Sequence, residues 1–173
     1  MQTAVDNPFS ETDDRDLWEI LVRHDVEGFL GQDWSVVAGD FLAEGFVGWD
    51  ARFTSDTDQW RITFPTLEAY RQAWMSQSQE FARTRYQEDP RERLYAAMRL
   101  SRIEISGDTA LVHKRFDGSI LREDGDRLVL RWQSLFVCRR TSGHWKVAGF
   151  IGYLPDPLDP LLPGYRPVLN EAR

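Results

Sequence analysis

The chain has 173 residues, 42% hydrophobic and 13% aromatic, with a formal net charge of −7, which is enough material for one packed domain that buries roughly 70% of its unfolded surface. The negative charge excludes non-specific binding to nucleic acid or to anionic membranes, because there is no cationic excess to neutralise phosphates. The single cysteine, Cys138, excludes an intrachain disulfide. With no apolar run of about 18 residues and no apolar stretch of signal-peptide length at the start, the expected setting is soluble and cytoplasmic.

Residues 1–13 read as a flexible polar leader. Asp13 or Asp14 can then cap a helix whose Leu17, Trp18, Leu21, Val22, Asp25, Phe29 and Leu30 recur at three-and-four spacing, with Gly31 ending it. One member of that apolar stripe is a carboxylate, Asp25. Asp33 can cap a shorter helix through Trp34, Val37, Ala38, Phe41 and Leu42, and Gly45 to Phe53 form a short strand carrying Trp49 and Asp50. Pro65-Thr66 opens a third helix with Leu67, Tyr70, Trp74, Gln77 and Phe81 on one side, giving way before Pro90.

The last third changes period. Arg93 to Phe116, Arg127 to Arg140 and His144 to Leu154 read as strand-like runs broken by the turn signals Gly107-Asp108 and Ser142-Gly143. Helices first and a meander second give an α+β class, with the helices packed on an antiparallel sheet. Residues 14–154 form that domain, and 155–173 read as a proline-rich extended tail. Along the second run Leu128, Leu130, Trp132 and Phe136 share one face, while Val129, Leu135 and Val137 share the other. Two apolar faces on one sheet imply a second cover: a homodimer is the expected one, with the chain's own tail over strongly bent strands as the alternative.

Two carboxylates stand out among apolar neighbours. Asp25 interrupts a helical stripe, and Asp50 lies between Phe46, Val47, Trp49 and Phe53. Desolvation in a cavity would raise the pKa of either and suit it to proton transfer near neutral pH. The bland readings are a solvated edge or an arginine ion pair for Asp25, and a salt bridge to Arg52 for Asp50. Trp34, Trp49, Tyr70, Trp74 and Trp132 are candidate lining residues for a small organic ligand. The three histidines, His24, His113 and His144, are too dispersed for a metal centre. No phosphate-cradling loop, dinucleotide fingerprint or serine-nucleophile elbow occurs, so no cofactor is expected.

The order of these elements, with FVGWDA, GDTALVHKRF and RRTSGHWKVAGF as local matches, resembles the nuclear transport factor 2-like superfamily and, within it, the SnoaL-like group. The resemblance covers about residues 14–154. It implies a cystatin-like cone, a curved sheet wrapped around a long helix with an internal pocket, and frequent dimerisation. Among related activities are ketosteroid isomerases, polyketide cyclases and dehydratases, beside members that only bind or assemble. Asp50 matches the isomerase's proton-shuttling aspartate in type, whereas Asp25 stands where that pattern has a tyrosine. The resulting expectation is a pocket protein for an apolar or polyketide-like molecule, acting as a cofactor-free isomerase, cyclase or dehydratase with Asp50 as base and Asp25 as acid or orienting group. The alternative is a non-catalytic ligand-binding or dimerisation module.

Overall fold

The computed structural model describes residues 3–156. The proline-rich tail, from residue 157 onward, lies outside the described residues.

The first helix runs continuously in three parts: α1 (Thr12–Trp18), a π-helical turn (Glu19–Arg23) and α2 (His24–Gly31). Its stripe buries Leu17, Trp18, Leu21, Val22 and Val26. Neither Asp13 nor Asp14 caps it, since Glu11 holds the N-cap position without a side-chain bond. The Asp13 carboxylate instead accepts from the Trp145 indole at 3.0 Å and the Arg140 guanidinium at 2.8 Å, tying the helix start to the last hairpin. Residues ahead of the helix are also engaged: Val5 and Phe9 pack on the core, and Asn7 donates to Glu19. Gln32, left-handed at φ 53°, ends α2. Asp33 then accepts from the Ser35 amide and hydroxyl at the start of α3 (Ser35–Ala38). Helix α4 (Leu67–Arg83) begins where Thr66 accepts from the Ala69 amide, as its sequence signal indicates.

Part of the expected first long strand is helical. Pro90–Ala97 form α5, with Pro90 in its first turn and the Asp89 carboxylate accepting from the Arg91 and Glu92 amides. The meander therefore begins at Met98. It comprises β3 (Met98–Ser106), β4 (Thr109–Leu121), β5 (Arg127–Thr141) and β6 (His144–Leu154), each antiparallel to the next. Two short strands complete the sheet: β1 (Val47–Asp50) pairs in parallel with β6, and β2 (Arg61–Phe64) pairs antiparallel with β1, giving the order β2-β1-β6-β5-β4-β3.

Register shifts interrupt β3 at Leu100/Arg102 and β5 at Gln133/Leu135 and Val137/Cys138. Such bulges bend strands, and here they accompany a curved, unclosed sheet. The face toward the helices carries Ala110, Val112, Phe116, Ile120, Leu130, Phe136 and Cys138, all buried. Burial pushes the Cys138 thiol up to about 12, so it is an inert core group. The opposite face is bare at Val137, which is 42% exposed. Close approach of β1 to β6 rests on glycine, because a Cβ at Gly149 would lie 2.6 Å from the Val47 carbonyl oxygen.

Candidate functional site

Helices α2 and α4 and the concave face of the sheet enclose a cavity of about 610 Å³. That is within the range of sites that enclose drug-sized molecules. Eleven of its 26 lining residues are aromatic. Tyr70 packs edge-on to Phe150 at 5.0 Å, Trp132 stacks on Phe116 at 4.4 Å, and Phe29 meets the Trp74 ring at 5.6 Å.

A charged pair sits within this apolar lining. Lys114 projects from the concave face of β4 and is 1% exposed. Its ammonium donates to Asp25 Oδ2 at 2.7 Å and to the Leu21 carbonyl oxygen in the π-helical turn, and it lies 4.9 Å from the Phe116 ring centroid. Removing an ammonium from water costs several kcal/mol unless a counter-charge and hydrogen bonds replace the solvent, and Asp25 and Leu21 supply both. The π turn is the local device: its wider ring bonds the His24 amide to the Glu19 carbonyl, five residues back, within the turn whose Leu21 carbonyl meets Lys114. Asp25 Oδ1 accepts from the Trp74 indole at 3.1 Å, so the carboxylate is fixed by a group on α4 and a group on β4.

Tyr70 completes this end of the cavity. Desolvation, with a further push from the Asp25 carboxylate, holds its hydroxyl well above the ordinary tyrosine value of 10, so it stays a phenol at neutral pH. As a phenol in the cavity lining it can donate to an occupant. Ser134 and Tyr153 add polar atoms to the same lining. Tyr153 belongs to a strained corner: Arg52, Phe53 and Tyr153 all have φ between 56° and 60°, and the Phe53 amide bonds the Tyr153 carbonyl at 2.8 Å.

Of the residues singled out in the sequence, the structure brings Asp25, Tyr70, Trp74 and Trp132 to the cavity. Trp34 stands behind it, its ring packed against those of Tyr70 and Trp74 at 6.1 and 5.3 Å. Trp49 and Asp50 are not among the lining residues. Asp50 ends β1, where its Oδ1 accepts from the Arg52 amide at 2.7 Å, closing the turn that follows the strand. Its partner is thus the Arg52 backbone, not the guanidinium. His113 lies on the convex face 3.7 Å from Glu104, with burial as the main influence lowering its pKa.

Lys114 is the residue that the sequence reading passed over. The signal was present: it shares the parity of Ala110, Val112 and Phe116, an otherwise apolar set, and it is one of two lysines in the chain. Among the described residues, no group of three or more His, Cys, Asp or Glu side chains could hold a metal ion. None of their helices is long and apolar enough to cross a membrane.

No protein-family model matches the chain, and no curated protein does either. Solved structures do. The chain is similar to a conserved protein from Planctomyces limnophilus, at 15% identity over 84% of this chain and 97% of that one, with a TM-score of 0.59. It is similar also to a nuclear transport factor 2-like protein of unknown function from Shewanella baltica, at 15% identity over 83% and 95% of the two chains, TM-score 0.51. A third, from Methylobacillus flagellatus and likewise of unknown function, shares 11% identity over 85% and 95%, TM-score 0.51. Identities this low speak for architecture and leave activity open. The helices followed by a curved, mostly antiparallel six-stranded sheet give this chain the nuclear transport factor 2-like fold.

Proposed function

We propose that the protein is a SnoaL-like small-molecule pocket protein that moves a proton on a largely apolar organic occupant, as an isomerase, cyclase or dehydratase does, without a cofactor. The observation that carries this reading is the Asp25–Lys114 pair, 2.7 Å apart, set into an aromatic cavity. An ionised carboxylate has about four lone-pair sites, and Lys114 and Trp74 occupy two. Asp25 thus keeps acceptor capacity toward an occupant and takes the base role. Tyr70 is the matching donor: its phenol can hydrogen-bond an oxygen of the occupant where negative charge develops. Lys114 orients the Asp25 carboxylate through its hydrogen bond to Oδ2. The cytoplasm is the setting proposed for this chemistry.

Binding without turnover has its own support, since both Asp25 oxygens already have protein partners and the pair can serve packing alone. One experiment separates the two. Native mass spectrometry of the purified protein identifies the co-purifying molecule, and NMR in D2O follows deuterium incorporation into it. Catalysis predicts incorporation that falls about 10²- to 10⁴-fold in Asp25→Asn while the molecule still binds. Retention of the molecule with no exchange in the wild-type protein would establish the binding module instead.

The exposed convex face supports a homodimer built on Val137, flanked by the half-buried Leu111, Leu135 and Ile151. A biological interface there should bury more than about 1,000 Å² in total.

A further inference from the structure

The far end of the cavity holds a second polar group that the proton-transfer reading does not use. Arg122 follows β4, in the turn toward β5, where its amide donates to the Asp126 carbonyl. An isolated bridge pairs it with Tyr86, and Gln87 donates to its carbonyl oxygen, so its backbone is held at several points. Its side chain lines the cavity, yet its Nε is buried without a hydrogen-bond partner. Among the described residues the guanidinium makes no ion pair within 4.0 Å. Arg122 is half-buried and lines the cavity, so its guanidinium can take an acceptor from a ligand without giving up an ion pair.

Charge and shape define the acceptor. Four charged side chains line the cavity: Asp25, Glu80, Lys114 and Arg122. Asp25 and Lys114 neutralise one another, and Glu80 is exposed to solvent at the rim. Arg122 is the one cation left over among these four. Beside it stands Tyr86, packed on Phe81 at 4.8 Å, whose hydroxyl pKa is raised mainly by desolvation and so stays protonated as a second donor. One guanidinium fork plus one phenol matches a single planar monoanion, whereas a phosphate dianion calls for more positive charge than the lining offers.

We infer that the natural occupant is an organic carboxylate with an apolar ring body, its carboxylate held by Arg122 and its far end presented to Asp25 and Tyr70. This names the substrate class for the site proposed above and rests on the cavity being a binding site, though not on its being catalytic.

The test uses 2-naphthoate and its neutral analogue 2-naphthamide, titrated by calorimetry into the full-length protein. The wild-type protein should bind the acid about 10- to 100-fold more tightly than the amide, the scale of a charge-assisted hydrogen bond. Arg122→Met should abolish that preference while leaving amide affinity unchanged, and Arg122→Lys, which keeps the charge but not the fork, should leave a preference of a few-fold. Circular dichroism confirms that each variant is folded, and Arg122→Lys carries the test if the methionine variant is not. The Asp25→Asn/Lys114→Met double variant, which removes both charges of the neutral pair, should preserve the preference, so failure of the proton-transfer reading does not mimic failure of this one. Equal affinity for acid and amide, a preference that survives in both Arg122 variants, or no binding of either probe at millimolar concentration would each overturn the assignment.

Discussion

The energetic demand of burying Lys114 can be measured by a double-mutant cycle with Asp25. Replacing Lys114 with Met keeps much of the stem's volume but removes the ammonium, which lies 4.9 and 6.0 Å from the Phe116 and Phe136 ring centroids. Breaking a buried pair by removing one partner costs about 3–5 kcal/mol, chiefly because the other charge is left uncompensated. Asp25 keeps its Trp74 bond and is 28% exposed on the cavity side, so water shares the burden. Lys114→Met should therefore destabilise by about 2–3 kcal/mol, at or below the low end of that range. Asp25→Asn strands an ammonium whose side chain is only 2% exposed and should cost about 3–4 kcal/mol. The double variant removes both charges and should lose only about 1–2 kcal/mol, so the coupling exceeds about 2 kcal/mol. Urea unfolding followed by far-ultraviolet circular dichroism gives each value from the midpoint and slope. A coupling below about 0.5 kcal/mol, the scale of an exposed ion pair, would refute the claim that the pair is held in a desolvated environment.

Two further outcomes test the frame around the site. Gly149→Ala should destabilise by about 3 kcal/mol, because the new methyl meets the Val47 carbonyl and the β1–β6 pairing has to open; Gly39→Ala, with nothing within 4 Å of the added carbon, is the control and should change the urea midpoint little. Val137→Asp on the convex face should convert a dimer to a monomer in sedimentation at micromolar concentration without lowering monomer stability, and a wild-type protein that sediments as a monomer would count decisively against the dimer.

Much of this architecture is legible in the residues because the two periods are clean. The stripe from Leu17 to Phe29 and the alternation along Arg127–Arg140 each point to one structure, and the structure places both on the core. Pro90–Ala97 escaped because its apolar residues, Leu94, Tyr95 and Ala97, run directly into those of β3 with no intervening turn signal; Asp89-Pro90, a capping residue before a first-turn proline, was the available clue. Strand β2 escaped for a different reason. It is a short edge with three of its four residues exposed, so it has no buried face to write an alternation into the sequence. At the site, Asp25 was visible as a carboxylate in an apolar stripe, but its partners are 49 and 89 positions away and only the fold brings them together. Arg122 carried no sequence signal, being one arginine among many. Its distinction is its place in the cavity wall, which only the fold reveals.

The parallel pairing of β1 with β6 sets an order of events for a chain being made. Val47 pairs with Gly149, roughly a hundred positions later, and β2 is attached to the sheet through β1. At about 5–20 residues per second, Val47 waits about 5–20 s on the ribosome before its partner strand exists. During that interval the apolar faces of α1, α2 and α4 have no sheet to rest on. The meander assembles through neighbouring hairpins, and β1 and β2 close against its final strand afterwards. A truncated or stalled chain lacking β6 consequently leaves β1 and β2 unattached to the meander and has no finished binding chamber. For nascent chains of this fold, exposure to chaperones and acquisition of a ligand site are successive stages separated by one strand.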